Sequence, residues 1–297
     1  MEINRANLRA LFQGYNTVFQ NAFNGTPATW NQVAMRVPST TSQEVYPWLG
    51  QTTKFREWIG DRVVQNLTTH DFTIRNKSFE NTIGVDRDAI EDDTYGVYSP
   101  MIAQLGQDAR EHPDELVYGL LRAGFTSKCY DGQYFFDTDH PVVQANGTVG
   151  SVSNVQAGSG PTWYLLDTTR IVKPIIYQDR KPYNFVAMDK DDDENVFNRK
   201  EYRYGVDARS NVGFGLWQLA YASSAELTED SYEAARAAMQ EQRGDNGRPL
   251  NIRPNLIVAP PSLEGRARKI TNADANAYGA TNVWKGSANV LTTAWIA

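Results

Sequence analysis

Between Trp48 and Ile90 the chain runs through VVQNLTTH and then DFTIRNKSFENTIGV, β-branched and aromatic residues mixed with polar ones, the texture of an extended two-strand region. Phe72 and Ile74 share one parity while Thr73 and Arg75 share the other, so the ribbon has one apolar and one polar face. A two-stranded hairpin alone is marginal in water. The ribbon must therefore lie on its own domain or on another chain, and the residues leave both readings open.

The rest of the chain can supply such a surface. It has 297 residues, 41% hydrophobic and 22% charged, which is ordinary globular usage and excludes a disordered or low-complexity protein. Thirty-four aromatics (7 Trp, 15 Tyr, 12 Phe) suit extended packing surfaces. A net charge of −6 argues against a protein that grips nucleic acid over its whole surface. The single cysteine, Cys129, cannot close an intrachain disulfide or build a Cys-based zinc site. No stretch approaches the roughly 18 apolar residues that span a bilayer, and MEINRANLRALFQGYN lacks a signal-peptide core, so a soluble protein is expected.

From Asn4 to Asn24, Leu8, Leu11, Phe12, Tyr15, Val18, Phe19 and Ala22 recur at helical spacing, predicting either a core helix or an arm on a neighbouring subunit. After Glu91-Asp92-Asp93, Pro100 opens the strongest helical pattern, with Met101, Leu105, Ala109, Leu116 and Leu120 on one stripe and Val117 and Leu121 beside it. Pro113 disfavours α geometry at His112, so a kink or restart is expected there, with Asp114 and Glu115 in a new first turn. Residues 144–162 are rich in Gly, Ser and Asn and mark a crossing between subdomains. Thr228 is expected to cap a helix that carries Tyr232, Ala235 and Met239 inward and stops at Arg243-Gly244. NLIVA and the final KGSANVLTTAWIA read as strands.

Candidate chemistry is sparse. In FFDTDHP, Asp137, Asp139 and His140 are metal-ligand types, but only His70 and His112 remain as further imidazoles, so a hydrogen-bonded turn before Pro141 is expected instead. DKDDDENVFNRKE resembles a calcium loop yet has Glu194 where glycine is needed and Lys200 where the bidentate carboxylate belongs. Gly213-Phe214-Gly215 lacks the third glycine of a dinucleotide fingerprint. Cys129 has no base beside it in sequence and reads as structural. No catalytic, cofactor-binding or metal residue is assigned.

WLGQTTKFREWIGDR, KSFENTIGVDRDAIEDDTYGVYSPM, HPDELVYGLLRAGF, CYDGQYFFDTDHPV and YLLDTTRIVKPIIYQDRKP resemble the major head subunits of Mu-like bacteriophages and prophages, over most of the chain from about Asn4 to Trp295. The order of elements resembles the Hong Kong 97 type capsid fold, an α+β architecture. The resemblance implies an N-terminal arm (1–50), an extended β-hairpin loop (51–90), a peripheral domain with a long spine helix (91–140), a mainly axial domain (141–270, returning through the peripheral domain near 185–225) and a C-terminal strand (271–297). It implies a structural protein, not an enzyme. Copies would form hexamers and pentamers of an icosahedral head around double-stranded DNA, in the virion, after assembly in the host cytoplasm.

Expected partners are other copies, a portal protein, a decoration protein and, because the body begins almost at Met1, a separate scaffolding protein. No membrane is involved. Within the loop, Phe72, Ile74, Phe79 and Ile83 are expected to bury against a neighbour, with Arg75, Lys77 and Glu80 setting register and Arg62 a further interface residue. His112 and Pro113 are the expected spine hinge. An encapsulin-like cargo compartment and, behind it, a hydrolase built on Asp137, Asp139 and His140 are the alternatives.

Overall fold

The computed structural model describes residues 3–47, 49, 72–92, 94–190, 192–275 and 279–297. Helix α1 (Arg5–Gly25) and a single helical turn α2 (Trp30–Val33) lead into strands β1 (Ala34–Pro38) and β2 (Gln43–Val45). Strands β3 (Thr73–Arg75) and β4 (Lys77–Asp86), the short helix α3 (Arg87–Glu91) and the long helix α4 (Ser99–Arg122) follow. Next come β5 (His140–Val143), β6 (Val149–Val152), β7 (Val155–Gln156) and β8 (Trp163–Leu166). The long strands β9 (Ile175–Met188) and β10 (Glu201–Phe214) flank helix α5 (Glu194–Arg199). The last third holds β11 (Ala220–Ser223), α6 (Glu229–Gln240), β12 (Arg243–Gly244), β13 (Arg248–Pro249), β14 (Leu256–Ala259), α7 (Glu264–Asn272) and β15 (Asn289–Thr292).

Two sheets organise these elements, in the orders β1-β9-β10-β4 and β15-β14-β8-β11-β7. In the first, β4 lies antiparallel on β10 from Lys77 opposite Ser210 to Asp86 opposite Glu201. Strand β3 turns away and pairs with β2, Ile74 opposite Glu44. Residues 73–86 of the ribbon therefore belong to the body of their own chain, which decides for them between the two readings the sequence left open. A buried polar chain pins this base: Tyr46 OH donates to Gln178 Oε1 at 2.8 Å, and Gln178 Nε2 donates to the Ile74 carbonyl at 3.2 Å and to Asn76 Oδ1 at 2.7 Å.

One face of the first sheet presents Phe185, Tyr202, Tyr204 and Val206, and helices α1 and α4 cover it. Leu8, Leu11, Tyr15 and Phe19 are the buried stripe of α1. Phe19 stacks on Phe185 with centroids 5.0 Å apart, and Tyr15 meets Tyr204 edge-on at 5.1 Å. So α1 is a core helix of its own chain. It can approach α4 closely because Gly106 has no side chain; a Cβ there would stand 2.6 Å from the Phe19 carbonyl oxygen.

Helix α4 runs unbroken through Pro113, so the restart expected at His112 does not occur. Pro113 lacks the N–H that would reach the Ala109 carbonyl, and tertiary packing carries the helix across that gap. Its inward stripe is Ile102, Leu105, Ala109, Val117, Tyr118 and Leu121, and Met101 is exposed. Asp114 is not a first-turn charge. It is buried, and its carboxylate accepts from Thr29 N at 3.0 Å, Trp30 N at 2.7 Å and Thr29 Oγ1 at 3.1 Å, capping α2.

The second sheet buries every residue of β8, β11 and β14. Its helices α6 and α7 contribute Tyr232, Ala235, Met239, Ala267 and Ile270 to one core. Thr228 caps α6 through a reciprocal box with Ser231. The helix stops at Gln240, earlier than expected, because Arg243 and Gly244 pair with Pro249 and Arg248 as a small ribbon. Residues 144–162 hold β6 and β7, so this crossing is not a bare linker.

Candidate subunit-contact site

Three of the residues predicted for subunit contact and hinging meet in one groove of about 360 Å³ beside α4. Strand β4 supplies Phe79 and Glu80, α4 supplies Ala109 and His112, β9 supplies Tyr183, and Trp295 closes the C-terminal side. The β4–β10 register places Phe79 opposite Ala208, whose small side chain leaves the floor open. The Phe79 and His112 rings meet edge to face at 4.3 Å. His112 Nδ1 lies 2.6 Å from Tyr183 OH.

Burial holds the His112 pKa below the ordinary imidazole value, with the Glu115 carboxylate pulling the other way. Burial likewise raises the Tyr183 phenol well above its usual range. The imidazole therefore serves as a neutral hydrogen-bonding partner. Glu80, Asp108, Glu111 and Glu115 rim the groove and, among the described residues, no Lys or Arg lines it. An apolar floor with an acidic rim favours a partner presenting an apolar anchor beside a cation.

The other predicted residues divide. Ile74 is 3% exposed and packs with Tyr46, Leu49 and Ile176, so its assignment to a neighbour's surface is corrected: it has no area left to offer. Phe72 and Ile83 are half-buried against their own cores. Arg75 and Lys77 are exposed, and exposed Glu80 accepts from Thr82 Oγ1 at 2.7 Å. Arg62 lies outside the described residues.

Sequence reasoning did not find Tyr183 or Trp295, because each joins the groove only through tertiary packing. The trio Asp137, Asp139 and His140 does not converge. Asp137 accepts from its neighbours Tyr134 N and Thr138 N, as a turn residue does. Exposed Asp139 has its pKa raised by hydrogen bonding to Asp137. His140 is buried and faces elsewhere, its Nδ1 2.8 Å from Asp131 Oδ2 and its ring stacked on Trp217 at 3.9 Å. Cys129 Sγ donates to Asp131 Oδ1 at 3.0 Å. Among the described residues no helix is long and apolar enough to cross a membrane.

Comparison with known proteins gives a consistent answer. The family profile of the Mu-like prophage major head subunit gpT matches residues 8–296. The Mu-like prophage FluMu major head subunit of Haemophilus influenzae is 46% identical over 277 residues, covering 91% of this chain and 90% of that protein. A chain of the procapsid of bacteriophage JBD30 superposes with a TM-score of 0.87 at 49% identity, covering 99% of this chain and 100% of that one. A chain of the JBD30 capsid decorated with minor capsid protein trimers gives a TM-score of 0.78 at 35% identity, covering 92% of each. The chain belongs to the Mu-like major head subunit family and has the capsid fold of tailed phages.

Proposed function

We propose that this chain builds the head of a Mu-like phage by closing into hexameric and pentameric rings through heterologous contacts, the rings tiling an icosahedral shell around double-stranded DNA. The observation that carries the reading is the match of nearly the whole chain to a procapsid subunit at 49% identity. Members of this family are structural head subunits, not enzymes, which sets aside both the hydrolase and the cargo-compartment readings.

On this reading residues 1–50 are the N-terminal segment, whose helix α1 packs on its own chain, 51–90 the extended loop, whose base at 73–86 is paired to the body, 91–140 the peripheral domain with α4 as spine, 141–270 mainly the axial domain, and 271–297 the closing strand. The groove beside α4, together with Arg62, Arg75 and Lys77, belongs to the copy-to-copy contact. His112 and Pro113 are the flexing point of the spine, since the helix is already one hydrogen bond short there. A separate scaffolding protein, a portal and a decoration protein complete the head. The net charge of −6 suits a container that touches its DNA weakly.

Negative-stain imaging of the purified chain tests the reading: closed shells or ring-shaped capsomers are expected, and a monodisperse monomer at all concentrations counts against it. Phe79→Asp places a charge on the groove floor and should abolish particles while the subunit's circular dichroism is kept. Normal shells from that variant would remove the groove from the contact.

A further inference from the structure

The loop 126–139 links α4 to β5 with no helix or strand of its own, only an isolated bridge between Lys128 and Tyr134. It is nevertheless well buried: Cys129 is 5% exposed and Phe135 not at all. At its centre Cys129, Asp131 and His140 each offer one ligand atom, and those atoms all lie within 4.8 Å of one another. We propose that these three side chains form a binding site for one zinc-class divalent cation that closes this loop onto the start of β5.

The donor set decides the class of ion. Thiolate, imidazole and carboxylate together suit zinc or cobalt(II), whereas magnesium and calcium want oxygen alone. The spacing fits. Ligand atoms on a tetrahedral zinc stand roughly 3.3–3.8 Å apart, given metal–ligand distances of about 2.0–2.3 Å. Cys129 Sγ lies 3.0 Å from Asp131 Oδ1 and His140 Nδ1 2.8 Å from Asp131 Oδ2, and one ligand atom from each residue lies within 4.8 Å of the others, so local side-chain adjustment brings the three onto one ion. Water would supply the fourth ligand.

Charge points the same way. Asp131 is a buried carboxylate whose one ion-pair partner among the described residues is His140. When the ion binds, the Cys129 thiol gives its proton to solvent, Asp131 stays ionised, and His140 loses the Nδ1 proton that it donates to Asp131 and gains one on Nε2 by exchange with solvent, so that Nδ1 ligates. Two negative ligands then balance a divalent ion and leave the buried site neutral. The stacked Trp217 ring fixes the imidazole plane from behind. Half-buried Asp137 and exposed Asp139 take no part.

The test uses the full chain, purified with a chelator, dialysed and titrated with cobalt(II) alone. One cobalt per subunit is expected, with the sulfur-to-cobalt charge-transfer band and the intense visible bands of a tetrahedral site. Zinc should displace it and raise the melting temperature of the parent protein. Cys129→Ser should lose the charge-transfer band and bind at least tenfold more weakly, while Asp139→Asn should keep both. Because His140→Gln tests folding as well as ligation, the parent's own spectrum and zinc-dependent melting carry the decision. No charge-transfer band in the parent, or a band that survives Cys129→Ser, overturns the site.

Discussion

Asp114→Ala isolates the contact that joins the start of the chain to the spine. The carboxylate is 6% exposed and takes two backbone N–H groups, of Thr29 and Trp30, and the Thr29 hydroxyl. Removing it leaves two part-buried donors without that partner, each costing about 1–3 kcal/mol where water cannot replace it. A total near 3 kcal/mol is expected, towards the lower end of that range because the α2 end can relax towards water. Unfolding a chain of this length carries an entropy of about 0.6 kcal/mol per kelvin, so the melt should fall by about 5 °C. Asp114→Asn keeps one acceptor oxygen and should lose about half as much, and Thr29→Ala, which removes only the hydroxyl, about 1 kcal/mol. The assay is thermal and urea unfolding of unassembled subunits followed by circular dichroism. An Asp114→Ala variant melting within about 1 °C of the parent would refute the cap and, with it, the account of why the helix tolerates a charge beside Pro113.

Two glycines should respond with opposite signs in urea titrations: Gly106→Ala forces α1 away from α4 and costs about 1–3 kcal/mol, whereas Gly14→Ala, with nothing near the new methyl, gains about 0.5–1 kcal/mol of helix propensity. His112 has a folded pKa below its free value of 6.5. The unfolded chain therefore takes up the proton first, the stability His112 contributes is present above that value, and it is lost as pH falls through 6.5 towards the depressed one. Urea midpoints measured between about pH 5 and 7 should show this slope, and His112→Gln should flatten it. Ile74→Asp should unfold the subunit, at more than about 3 kcal/mol, whereas Lys77→Glu should leave the melt unchanged and act on assembly alone; equal melts for the two variants would return Ile74 to the surface.

Local signals carried the elements well. The 3.6-residue stripe of Leu8, Leu11, Tyr15 and Phe19 is the buried face of α1, and Thr228 caps α6 as its hydroxyl and position dictate. NLIVA is buried at each position of β14 because a strand covered on both faces has no polar alternation to show. What the sequence reported less well was the partner each face meets. Ile74 carries the same alternation whether its apolar side meets another copy or Tyr46 and Ile176, and only the pairing of β3 with β2 separates the two. On α4, Leu105, Ala109, Val117 and Leu121 are buried as read, whereas Met101 is exposed and Leu116 and Leu120 are half-buried; Phe19 seated on Gly106 bears on how the helix rolls against α1, a contact between residues 87 apart in sequence that leaves no mark on the periodicity of either.

The same reasoning explains why the groove was only half visible. Phe79, Glu80 and His112 were each singled out for separate reasons, an apolar ribbon face, a register charge and a proline neighbour, and the fold makes one surface of them because β4 runs beside α4. That convergence is informative in itself. A strand that served only as a sheet edge could carry any residue facing Ala208, and a ring as large as phenylalanine, half-exposed beside four carboxylates, is costly to leave uncovered. Its exposure makes physical sense in a subunit that works only as one of many, where the area left open in the monomer is closed by the next copy.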